Sequence, residues 1–135
     1  MPYPLTGIAG IGPEAAAALR ALGIRTASRL LEAAKNPKGR QHLAVELGVD
    51  EKCVLRWANL VDRMRIKSVG EDYAELLRAA GVDTVKELKY RNPAKLARAM
   101  KEANAKRKLV RVMPSDRAVE RWVESAKKLQ LKISY

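Results

Sequence analysis

Apolar positions along the chain recur at three- and four-residue spacing, broken by Gly, Pro, Asn and Thr at short intervals, so the pattern predicts a series of short helices. Pro13 opens the first, which runs to Leu22 and stops at Gly23, a residue suited to a left-handed cap. Thr26 caps a second helix through Leu30, Leu31 and Ala34. Asn36-Pro37 starts a third, which ends near Leu47 at Gly48. Asp50 caps a longer one over 51–65, whose Val54, Trp57, Ala58, Val61 and Met64 form one apolar stripe.

The same punctuation then returns. A helix over 71–80 ends at Gly81, and Thr84-Val85-Lys86-Glu87 has the spacing of a capping box. Asn92-Pro93 starts a helix to about Asn104, and Pro114-Ser115-Asp116 starts the last, to about Leu129. Residues 105–112 read either as a helix end or as a short extended piece, and 130–135 as an extended or loose tail. Gly12/Gly70, Ala16/Ala74, Leu19/Leu77, Arg20/Arg78, Gly23/Gly81, Thr26/Thr84 and Leu30/Leu88 share one offset of 58 residues. Val54-Leu55-Arg56-Trp57 recurs as Val119-Glu120-Arg121-Trp122. A fixed offset is the mark of a repeat. The expected fold is all-α, with one repeat over 1–64 and a second over 65–135, each about 60 residues, packed as one pseudo-two-fold unit. The equivalent tryptophans lie on apolar stripes and are expected in the core.

The repeat begins with its most distinctive stretch, Ile8-Ala9-Gly10-Ile11-Gly12-Pro13, echoed by Ile66-Lys67-Ser68-Val69-Gly70-Glu71. A turn near Leu5 to Ile8 is expected to lead into the first. A glycine-bearing bend that opens into a helix presents backbone N–H groups together with the positive end of the helix dipole, a combination that suits a phosphate. At these residues the chain resembles the helix-hairpin-helix DNA-binding modules. It is most similar to a small tandem helix-hairpin-helix family known only as a domain of unknown function. The resemblance covers Ile8 to Leu22 and Ile66 to Ala80 and, with the flanking helices, nearly the whole chain. It implies sequence-independent binding of duplex DNA through hairpin amides, without catalysis, and it would allow a monovalent ion on the hairpin carbonyls. Ser68 departs from the family pattern by replacing the first glycine.

Charge supports a polyanionic partner. Lys and Arg number 27 against 15 Asp and Glu, a formal net charge of +12. The excess lies late. Residues 1–64 carry nine basic against six acidic groups, and residues 65–135 carry eighteen against nine. Ten basic residues fall between Lys86 and Arg111, opposed only by Glu87 and Glu102. The candidate DNA contacts are therefore the amides of Gly10, Ile11 and Gly12, those of Ser68, Val69 and Gly70, and the side chains of Lys67, Lys95, Arg98, Lys101, Lys106, Arg107 and Lys108. Against the second turn stand Glu71 and Asp72, whose carboxylates compete with phosphate for the same dipole; its alternative role is a structural copy that completes the fold.

One Cys and one His leave little for a metal site or a nucleophilic triad, so no enzyme, metal or cofactor is expected. Cys53 reads as a small buried hydrophobe, and His42 as a surface or boundary residue. A lone cysteine suits a reducing, cytoplasmic setting, nucleoid-associated if DNA is the ligand. No secretory signal or membrane span is apparent. The competing function class is a scaffold whose basic face docks an acidic protein partner.

Overall fold

The computed structural model describes Leu5 and residues 11–135. The described residues form eight α-helices and no strand: α1 (Pro13–Ala21), α2 (Ala27–Ala33), α3 (Pro37–Leu47), α4 (Glu51–Arg63), α5 (Glu71–Ala79), α6 (Val85–Lys89), α7 (Pro93–Arg107) and α8 (Asp116–Lys128). They fall into two compact units, residues 1–61 with 132–135, and residues 62–131.

In the first unit α3 packs against α1 and α2. α1 closes with a Schellman motif. Gly23 at φ +84 lets its N–H reach the Arg20 carbonyl (2.9 Å), and Ile24 N–H reaches that of Leu19 (2.9 Å), with both Leu19 and Ile24 buried. The Thr26 hydroxyl caps α2 by accepting from Arg29 N–H (3.3 Å), and Asn36 Oδ1 caps α3 through Gly39 N–H (2.8 Å). Gly39 has no room for a side chain, because a Cβ there would sit on the Ala33 carbonyl oxygen. Asp50 Oδ1 receives Lys52 N–H (3.0 Å) at the start of α4.

The single stripe expected on α4 is too narrow. From Trp57 to Met64 every residue is buried, including Asn59, Asp62 and Arg63. Polar groups can be buried when partners meet them. Tyr135 donates its hydroxyl hydrogen to Asn59 Oδ1 (2.8 Å), and Arg65 Nε donates to Asp62 Oδ1 (2.7 Å). Cys53 is half-buried rather than fully buried.

The tail is not loose. Ser134 N–H donates to the Lys35 carbonyl (2.7 Å), and the buried Arg40 guanidinium donates to the carbonyls of Ala34 (3.0 Å) and Ser134 (2.7 Å). The Arg40 guanidinium carbon also lies 5.8 Å from the Tyr135 ring centre.

In the second unit α8 packs against α6 and α7, and α5 against α7, around Leu77, Val85, Leu88, Leu96, Met100, Val119 and Trp122. The α5 terminus repeats the Schellman geometry, with Gly81 N–H on Arg78 O (3.0 Å), Val82 N–H on Leu77 O (2.8 Å) and Gly81 at φ +99. Thr84 and Glu87 make the full capping box. α7 carries the ambiguous stretch as far as Arg107. Lys108 then turns left-handed (φ +49), and the Asn104 amide brackets Val110, accepting from its N–H (3.0 Å) and donating to its carbonyl (3.1 Å).

Candidate nucleic-acid interface

Two turns carry the candidate amides. Gly10 lies outside the described residues, as do Ile8 and Ala9. Ile11 buries its side chain, and exposed Gly12 is the N-cap of α1 with no side chain bonding to the helix start. Its backbone (φ −67, ψ 167) is one any residue adopts, and a Cβ there would meet nothing within 4 Å.

The second turn follows α4. Lys67 and Ser68 are exposed, and Gly70 is an N-cap without a side-chain acceptor. Ser68 takes φ +74, the left-handed conformation a glycine adopts without cost. Val69 corrects the expected donor set. Its side chain is buried and its N–H donates to the Ile66 carbonyl (3.0 Å), so that amide is already spent. The amides of Ser68 and Gly70 are not engaged by any described residue. Arg65, which by position flanks this turn, is also occupied, holding Asp62 and the Gln130 carbonyl (3.1 Å).

A cleft of about 420 Å³ opens at this turn, lined by Ser68, Gly70, Glu71, Asp72, Tyr73 and residues 110–112. It brings Arg111 to the turn, a pairing sequence spacing did not disclose. The bonds that do it are the Asn104 bracket on Val110 and a hydrogen bond from the Tyr73 hydroxyl to the Val112 carbonyl (2.9 Å). Tyr73 is itself steadied against Trp122, with ring centres 5.4 Å apart. Glu71 and Asp72 put two carboxylates at the same helix start, so the cleft mixes amide donors and one guanidinium with acid.

The basic side chains of α7 divide into two groups. Arg98 and Lys101 line a groove with Asp116 and Glu120 of α8, which offsets their field. Lys106, Arg107 and Lys108 are exposed at the end of α7, where the nearest acid in the chain is Glu102. Lys95 is exposed as well. Cations at a helix C-terminus also satisfy its dipole, so the position is stable without a ligand.

One buried cation lies beside this region. Arg63, 1% exposed, donates from Nε to the Ala74 carbonyl (3.0 Å) and from Nη1 to both the carbonyl and the carboxylate of Asp83. Burial lowers its pKa, and Asp83 and Glu75 pull it back up. It ties the end of α4 to α5 and to the approach to α6, and so fixes the frame on which the second turn sits.

Among the described residues no group of three or more His, Cys, Asp or Glu is placed to hold a metal, and no helix is long and apolar enough to cross a membrane. Residues 9–129 match the family model described as Domain of unknown function (DUF4332), and the chain belongs to that family. No curated protein and no solved structure matches it.

Proposed function

Starting from membership of a family without an assigned role, we propose that this chain is a non-enzymatic, sequence-independent binder of duplex DNA, built from two helix-hairpin-helix repeats. The observation that carries the reading is the second turn. Ser68 and Gly70 hold amides that no described residue engages, at a helix start, and Arg111 shares their cleft. Lys67 flanks that turn in sequence, and the exposed Lys106, Arg107 and Lys108 supply further phosphate contacts. The stretch Gly10, Ile11 and Gly12 is the companion site, and Lys95, Arg98 and Lys101 act at longer range. Such contacts position a protein on a backbone and read no bases.

Gly12→Asp and Gly70→Asp test this cleanly. A Cβ at either position meets nothing within 4 Å, and Asp is a good N-cap, so each variant keeps or strengthens its helix while placing a carboxylate where phosphate would sit. Gel shifts with generic duplex DNA are expected to weaken by about tenfold for each, the order of one charge-assisted hydrogen bond. Reversing Lys106, Arg107 and Lys108 to Glu should flatten the dependence of log affinity on log salt by about three. Wild-type affinity that ignores salt contradicts the proposal.

A second reading has its own observation. Acidic Glu14, Glu71 and Asp72 at the helix starts, with Asp116 and Glu120 opposite Arg98 and Lys101, suit a mixed-charge protein surface. If no duplex binds at any salt, a scaffold that docks an acidic protein on the basic face takes its place.

A further inference from the structure

The chain has no Phe and few aromatic residues, and those described are mostly put to internal use. Trp57 and Trp122 are buried, Tyr73 stacks on Trp122 and anchors Val112, and Tyr135 bonds Asn59. Tyr90 differs. It ends α6 and is 74% exposed, and its hydroxyl makes no hydrogen bond among the described residues. A single exposed apolar side chain is ordinary. The setting of this one is not. Lys89 Nζ lies 5.2 Å from the ring centre, Arg91 follows directly, and Lys86 is exposed on the same short helix. The nearby acids are committed elsewhere: Asp83 is bound to Arg63, and Glu87 closes the capping box with Thr84. No ion pair within 4.0 Å engages Lys86, Lys89 or Arg91 among the described residues.

A ring that is 74% exposed, with Lys89 over one face and further cations beside it, offers what an unstacked base and its flanking phosphates require. A continuous duplex cannot use it, because its bases are stacked inside. We propose that Tyr90 is a stacking platform for an unpaired nucleotide, with Lys86, Lys89 and Arg91 on the adjoining phosphates. The preferred ligand is then a duplex that ends or breaks into single strand. This rests on the nucleic-acid reading above and narrows its substrate class.

The test is fluorescence anisotropy at fixed low salt with three labelled probes: a blunt duplex, the same duplex with a short single-stranded overhang, and one whose overhang carries abasic sites. The abasic probe keeps the phosphates and removes the bases. The wild-type chain should prefer the overhang over the blunt duplex by about tenfold, within the range for stacking one base, and should show no such preference for the abasic probe. Tyr90→Ala should erase the preference while leaving blunt-duplex affinity and the thermal midpoint unchanged, and Tyr90→Trp should keep it. A preference that survives Tyr90→Ala, or its absence in the wild type while blunt duplex still binds, overturns this inference alone. Failure of all three probes to bind overturns both readings.

Discussion

The starts of the two units use the same local devices at the same spacing and finish them with different chemistry. Gly12 and Gly70 are both uncapped N-caps, Gly23 and Gly81 both close Schellman motifs, and Thr26 and Thr84 both cap the next helix. The differences lie one step out. Thr84 has Glu87 three residues on and makes a reciprocal box, whereas Thr26 has Arg29 there and caps alone. Glu32, at the first-unit counterpart of Tyr90, is an exposed acid paired with Lys35. Ser68 stands where the first unit has Gly10. The comparison separates two kinds of information. Backbone geometry recurs, because turns and caps tolerate few residue types. Surface charge is free to diverge, and the second unit is where the cations and the open aromatic ring have collected.

The sharpest test of that comparison compares the two buried arginines. Arg63 holds together the start of the second unit, and Arg40 holds the tail of the first. Asp83 and Glu75 face water, so their attraction for Arg63 is screened and most of its value lies in the carbonyl bonds and the filled space. Arg63→Ala should cost about 3–5 kcal/mol, and Arg63→Met somewhat less because it keeps volume but no donors. Arg40→Ala should cost about 2–3 kcal/mol. Urea unfolding measures all three. If Arg40→Ala proves the more damaging, the ranking of the two anchors is wrong.

These anchors also mark where reading the sequence stops. Helix limits were legible because Gly, Pro, Asn and Thr act through local geometry. The left-handed Gly23 and Gly81, the Thr caps and the Asn-Pro starts all follow from residues within a few positions of one another. Arg63 and Arg40 look like surface charges in a chain rich in them, and nothing local says that they bond residues 11 to 94 positions away. The geometry of the candidate site was legible only in part. The turn at Ser68–Gly70 stands out as a motif, and the Val69 donor is lost to a local bond with Ile66 three residues back, but the arrival of Arg111 depends on how the chain folds back.

Ser68 offers a finer cut. A non-glycine residue at φ +74 carries roughly 1 kcal/mol of backbone cost. Ser68→Gly removes it and restores the residue found in the first unit, against a gain in unfolded-chain entropy of comparable size. Thermal melts should show a net stabilisation between zero and about 1 kcal/mol. A clear loss would mean that the serine hydroxyl supports the turn, and the two bends would then differ in design as well as in sequence.

The smallest contrast is electrostatic. In the first unit the Glu32 carboxylate accepts a hydrogen bond from Lys35 and feels its charge, which holds its pKa below the ordinary value of 4.5; Lys132 adds to this. A carboxyl group with a depressed folded-state pKa contributes stability above its unfolded value and loses it as pH falls through the folded one. That window opens near pH 4.5 and extends below it. The second unit has Tyr90 at this position and no such contribution there. Glu32→Gln should therefore lower stability slightly at neutral pH, only slightly since both partners are exposed and solvent screens them, and the deficit should vanish as pH falls below 4.5, which makes the acid limb of the stability–pH curve shallower. Tyr90→Gln, made in parallel, should leave the acid limb where it was. If the two variants shift that limb equally, the charge difference between the units has no part in their stability, and only its part in binding remains to be measured.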